Sequence, residues 1–265
     1  MLNSRPDSHN TSFMPISPAE RYAQAIESGQ FMQDEAQAQA VQELDRVWKE
    51  LLTRYKASKK AFRRFRRQTY PKGVYMWGGV GRGKTWLMDQ FYESVPFRRK
   101  TRMHFHHFMQ QVDAQLRRLQ GQKNPLFQIA KQLAKKTRVL CFDEFMVHDV
   151  AYAMILGELL KALITHGVVL VISSNIPPDD LYRDGVHRER FLPAITAIKE
   201  HCEVLFLNEQ RDYRAEMLKK STIQLLRFHF SLFLMPVFWF ALSLLNNINK
   251  ENATWAFFIL HLLVY

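Results

Sequence analysis

Three features of the sequence predict an α/β fold, a parallel sheet with helices covering both faces. Short apolar runs without polar alternation recur through the middle of the chain. Stretches of helical periodicity separate them, and one run leads straight into a glycine-rich loop that precedes a helix. Strands buried on both faces lose the alternation of a half-exposed sheet, and parallel strands need a crossover between them.

In chain order, residues 1–16 are polar and read as a disordered leader. Residues 17–70 form an N-terminal helical region. Ser17 can cap a helix with Pro18 in its first turn and Glu20 three residues after the cap, and Gly29 ends it. A second helix from Asp34 carries Ala38, Val41, Leu44, Val47, Trp48, Leu51 and Leu52 as an i, i+3, i+4 stripe. Residues 71–214 hold the alternating part. Strands are expected at 73–77, 102–105, 138–142, 168–173 and 203–207. Helices are expected at 85–94, 108–120, 125–135, 150–165 and 191–200, with a turn at Leu181–Tyr182. No internal repeat is visible.

Composition narrows the class. Of the 265 residues 47% are hydrophobic and 23% charged, with Gly and Pro only ten each, which excludes collagen-like and wholly disordered chains. Cys141 and Cys202 are the two cysteines, too few for a disulfide framework or a four-cysteine zinc site, and they point to a reducing compartment. The net charge of +12 favours anionic partners: nucleotide, nucleic acid or a membrane face. The excess is concentrated. No acid lies between Glu50 and Asp89, but eleven basic residues do, most of them within Lys56–Lys72, interleaved with Phe62, Phe65 and Tyr70. Such a block suits nucleic acid or anionic lipid, and equally a solvated helix face.

The chemistry is concentrated in a few strings. Gly78-Gly79-Val80-Gly81-Arg82-Gly83-Lys84-Thr85 fits G-x-x-x-x-G-K-[ST], with a strand before it and a helix after it. Glycines let backbone N–H groups curl around phosphate oxygens, and the helix turns its positive end towards them. Lys84 would reach the β- and γ-phosphates, and the Thr85 hydroxyl would ligate Mg2+. About sixty residues on, the run Val139–Phe142 ends in Asp143-Glu144. Behind such a loop, Asp143 is expected beside Mg2+ and Glu144 where it polarises the attacking water. Asn175, after the strand at 168–173, suits a γ-phosphate contact and also a turn before Pro177-Pro178. Arg188 and Arg190 suit a phosphate-sensing role in a neighbouring subunit, or a solvated basic turn. His104, His106 and His107 are metal ligands by residue type, but their placement argues against a site. Strand alternation would put His107 on the opposite face, and no Cys or carboxylate close in sequence completes the set.

These strings resemble the AFG-like AAA+ ATPases. The resemblance rests on Gly73–Tyr92, Cys141–Phe145 and Ser173–Tyr182, with His104–His106 and Phe108–Met109, Arg188 with Arg190–Pro193, and His201–Val204, and covers roughly residues 17–214. It implies a P-loop fold in which residues 78–85 bind ATP, Asp143 and Glu144 are the Walker B acids, and Asn175 is a first sensor. Arg190, or Arg188, would be an arginine finger, which implies a homo-oligomer. Bacterial members are associated with the constriction stage of cell division, acting on FtsZ polymers, and mitochondrial relatives with quality control at the inner membrane. No transit segment is visible at the start, so a bacterial cytoplasmic location is expected, or one at the cytoplasmic face of the inner membrane.

Residues 215–265 depart from that pattern. From Ile223 onward only Arg227, Lys250 and Glu251 are charged, and Phe228–Leu245 is an uncharged run of eighteen residues. A shifted reading frame, a membrane anchor behind Lys219, Lys220 and Arg227, and a diverged helical lid each account for it. Two rival functions stay open as well: a helicase-loader-like nucleic-acid module using Lys56–Lys72, and a membrane-associated scaffold that binds nucleotide without turnover.

Overall fold

The computed structural model describes residues 16–29, 34–58 and 70–207, all within one compact unit, Met1–Asp212. The leader up to residue 15, the basic residues between 59 and 69, and the tail with its 228–245 segment lie outside the described residues. Among the described residues no helix is long and apolar enough to cross a membrane.

Two helices come first. α1 (Pro18–Glu27) begins with the expected capping box: Glu20 N donates to Ser17 Oγ at 3.2 Å, and Ser17 N donates to Glu20 Oε2 at 2.8 Å. α2 (Glu35–Ser58) buries Ala40, Val41, Leu44, Val47, Trp48 and Leu51, and the Trp48 indole donates to Ser94 O at 2.8 Å. The alternating part then runs β1 (Gly73–Trp77), α3 (Lys84–Ser94), β2 (Lys100–His104), α4 (Phe105–Arg118), α5 (Pro125–Lys136), β3 (Val139–Asp143), α6 (Val150–Thr165), β4 (Val169–Ser174), α7 (Leu192–His201) and β5 (Cys202–Phe206).

The five strands form one parallel sheet in the order β2-β3-β4-β1-β5, so β4 is inserted between β1 and β3. Side-chain alternation divides the core in two. Val74, Met76, Val139, Cys141, Val169 and Val171 pack beneath α1, α2 and α3. Tyr75, Leu140, Phe142, Leu170 and Ile172 face α4 to α7. Both faces are thus covered, as the apolar strands require.

One local expectation fails. The helix expected from Phe108 begins at Phe105, directly after β2, so His106 and His107 lie on α4 rather than on strand positions. β2 ends where its partner does, since His104 pairs with Asp143 and β3 turns at Glu144. Phe105, Phe108, Met109 and Val112 then make the buried stripe of the helix.

Candidate nucleotide-binding site

In a parallel sheet all strand C-termini reach the same edge, which is where ligands bind in open α/β folds. Trp77 of β1 lies beside Ser174 of β4, and the chain then enters the glycine loop. Gly78, Gly81 and Gly83 take φ of 148°, 85° and 81°, values that side-chain-bearing residues rarely adopt. Space is short as well. A Cβ on Gly78 would lie 2.4 Å from Leu207 O, and one on Gly83 would lie 2.8 Å from Gln37 Nε2. Val80 at the loop tip is exposed, and the Arg82 carbonyl accepts from the buried Gln37 Nε2 at 3.0 Å. The N-terminal helical region therefore supports the loop from behind.

Lys84 opens α3 and is buried. Its Nζ donates to Gly78 O at 2.6 Å and to Gly79 O at 2.7 Å, so the loop closes around its own ammonium group. Thr85 follows and is exposed. The first N–H groups of a helix have no intrahelical partner, and here they follow a loop curled by three positive-φ glycines. That donor set fits phosphate oxygens.

The two acids have different surroundings. Asp143 ends β3 with a nearly buried carboxylate that accepts from Arg102 Nε at 2.7 Å and from Nη2 at 3.4 Å. The same guanidinium bridges to Asp89 on α3. Burial alone would lower the Arg102 pKa, but hydrogen bonds and charge from Asp143 and Asp89 outweigh it and raise the value, so Arg102 is a fixed cation. Glu144 has a φ of 53° and a side chain 76% exposed, with Oε2 3.7 Å from His104 Nδ1. Backbone outliers of this kind cluster at functional sites. The turn is fixed by β4. Glu144 N donates to Ser173 Oγ at 3.4 Å, Phe145 N donates to Ser173 O at 2.8 Å, and Ser174 Oγ donates to Phe145 O at 2.8 Å.

Asn175 is the exposed residue directly after β4, at the same sheet edge. Arg188 and Arg190 share a short 3-10 turn that precedes α7. Arg188 Nη2 donates to Asp179 O at 2.5 Å, which ties it to its own chain, while Arg190 is exposed and meets no carboxylate among the described residues. Neither forms a hydrogen bond or ion pair with Asp143 or Glu144. A hydroxyl on Thr85 and a carboxylate on Asp143 are hard oxygen donors of the kind Mg2+ takes when phosphates complete its shell. Among the described residues no group of three or more His, Cys, Asp or Glu side chains is placed to hold a metal, which covers His104, His106 and His107.

Sequence reasoning missed Arg102, Gln37, Ser173 and the approach of His104 to Glu144. Arg102 left one trace, a cation in the middle of an expected strand.

The sequence profile of the AFG1-like ATPase family matches residues 16–231, which extends beyond Arg214, where the motif-based resemblance ends. The chain is 45% identical to Cell division protein ZapE of Escherichia coli (strain K12) over 226 residues, 81% of this chain and 60% of that protein. It is 41% identical to Lactation elevated protein 1 homolog B of Danio rerio over 162 residues, 57% of this chain and 32% of that one. Solved structures with similar folds include DnaI, at TM-score 0.48 and 16% identity over 68% of this chain and 88% of that one. AMPPCP-bound DnaA from Aquifex aeolicus is similar at TM-score 0.49 and 15% identity, over 74% and 54%. The chain thus spans 60% of the length of its Escherichia coli relative. With the profile matching most of its length and the loop and acid pair at one sheet edge, the chain belongs to the AFG1-like ATPase family.

Proposed function

We propose that this chain binds ATP and hydrolyses it by attack of water on the γ-phosphate, as one subunit of a homo-oligomer. The observation that carries the reading is the shared sheet edge: Asp143 and the open Glu144 carboxylate stand at the C-terminus of β3, and buried Lys84, at the start of α3, reaches back to Gly78 O just after β1. Lys84 Nζ would exchange its two loop carbonyls for phosphate oxygens, helped by the positive end of α3. Thr85 and Asp143 would hold Mg2+, which when bound neutralises charge on the phosphates. Glu144, with room around it and His104 beside it, would orient the water and accept its proton. Asn175 would contact the γ-phosphate or that water, and Arg190 would complete a neighbour's site, a contribution worth about 10³–10⁵ in rate for arginine fingers.

The likeness to a protein named for cell division supports a role at the division ring, with FtsZ as the partner polymer, in the cytoplasm or at the cytoplasmic face of the inner membrane. The test is binding of a fluorescent ATP analogue beside phosphate release. Lys84→Ala should lose both. Arg190→Ala should keep binding, lose turnover, and poison wild-type subunits when mixed with them. Undiminished binding by Lys84→Ala would overturn the reading.

A further inference from the structure

At the opposite edge of the sheet lies a cleft of about 560 Å3 that takes no part in the nucleotide site. Its lining includes Arg54, Arg98, Arg99 and Arg138, with Tyr55 and Tyr70, and no acidic residue among the described residues. Arg99 directly precedes β2 and Arg138 directly precedes β3, while Gly167 and Tyr70 stand just before β4 and β1. Strands of five residues, at ~3.3 Å per residue, put this edge roughly 16 Å from the glycine loop.

Among the described residues the cleft holds positive charge without a counter-charge. Elsewhere in the described residues, three partly buried arginines have carboxylate partners: Arg102 with Asp143 and Asp89, Arg46 with Glu43 and Glu50, and Arg21 with Glu93. Among the described residues none of the four cleft arginines meets a carboxylate. Arg99 Nη2 donates to Ala134 O at 2.5 Å and Arg138 Nη1 donates to His166 O at 3.0 Å, and Arg99 Nε is buried with no hydrogen-bond partner among the described residues. Burial and the adjacent Arg138 charge both press the Arg99 pKa down, the signature of uncompensated cations. Such a cleft attracts anions.

The rings indicate which anion. Tyr70 is 39% exposed, its ring fills the space a side chain on Gly167 would need, and the Arg54 guanidinium lies 5.6 Å from its centroid. Tyr55 stands 5.4 Å from Phe97, centroid to centroid. Arginines beside an accessible aromatic face serve phosphates and bases together, whereas an acidic peptide would use only the charge. In sequence, residues 59–69 join α2 to Tyr70 and carry Lys59, Lys60, Arg63, Arg64, Arg66 and Arg67 with no acid, alongside Phe62 and Phe65.

We propose that this arginine-lined cleft binds single-stranded nucleic acid, with phosphates on Arg54, Arg98, Arg99 and Arg138 and a base stacked with Tyr70. The site is separate from the ATP site and does not depend on hydrolysis.

The test is fluorescence anisotropy of labelled oligothymidylate with the full chain, from about 50 to 200 mM salt, with ATP-analogue binding measured in parallel. Arg54→Glu with Arg98→Glu should weaken the oligonucleotide about tenfold or more and flatten the log–log salt slope by about 1.4, at ~0.7 for each phosphate no longer neutralised. ATP-analogue binding should stay unchanged, which reports a folded chain. The single exposed change Arg98→Glu should act in the same direction if the double variant fails to fold. Three results would each overturn the proposal: no oligonucleotide binding by the wild type at low salt, equal affinity in the arginine variants, or preferential binding of a polyglutamate peptide.

Discussion

Replacing Arg102 with alanine should destabilise the fold by about 2–4 kcal/mol. The Arg102 and Asp143 side chains are 17% and 12% exposed, so the pair is largely removed from water. Breaking a fully buried pair by deleting one partner costs about 3–5 kcal/mol, since the remaining charge is left without compensation. The second carboxylate, Asp89, is 43% exposed, so its loss of a partner adds only about 0.2–1 kcal/mol. Asp143 stands at a strand end where some water reaches it, which places the expected cost below the fully buried limit. With a urea m-value of about 2 kcal/mol per molar, the midpoint should fall by about 1–2 M. Arg102→Met should behave like the alanine variant, because the carboxylate remains unpaired. Adding Asp143→Asn to Arg102→Met should recover part of the loss, since the orphaned charge is then gone. A midpoint shift below about 0.3 M in Arg102→Ala would refute the reasoning. Under the proposed function, Mg2+ with a non-hydrolysable ATP analogue should stabilise Arg102→Ala more than the wild type, because Asp143 no longer has a competing cation.

Gly83→Ala should weaken ATP-analogue binding at least tenfold, since the new methyl meets both a left-handed φ and the Gln37 amide; wild-type affinity in that variant would contradict the loop geometry. Cys141 and Cys202 are buried, so a thiol reagent at pH 8 should label the native chain only as fast as it unfolds, and rapid labelling of either thiol would count against the core described. Burial pushes the Cys202 thiol up to about 12 from an ordinary 9.0, and raises the Cys141 thiol and Tyr75 hydroxyl as well. Because these pKa values are raised in the fold, the stability they contribute is complete below pH 9 and is lost as pH rises towards 12. The urea midpoint should therefore drop between pH 8 and pH 10.5, at up to ~1.4 kcal/mol per pH unit per group, and a rising midpoint would contradict the assignment. Ser17→Ala should cost about 1 kcal/mol through the lost cap, read from the same urea curves.

What can be read from the sequence is local. α6 appears at Val150–Thr165 as expected, because Asp149 caps it through Ala151 N and Tyr152 N and its apolar faces are long. The glycine loop and the acid pair are visible because their chemistry is written in consecutive residues. The insertion of β4 between β1 and β3 is not, since pairing between distant strands leaves no local pattern. For the same reason Arg102 with Asp143, 41 residues apart, and Gln37 with Arg82, 45 residues apart, emerge only in the fold. The start of α4 misleads because Met103-His104-Phe105-His106 suits a strand by composition. What ends β2 is the turn of its partner at Glu144, a tertiary cause.

The most direct test of the central claim is steady-state ATP hydrolysis by the full chain beside its Glu144→Gln variant, with ATP-analogue affinity measured for both. Hydrolysis in the wild type that disappears in Glu144→Gln while affinity is retained is the predicted result. Equal rates in the two proteins would mean that the exposed carboxylate at the end of β3 does not orient the water, and the catalytic assignment would fall.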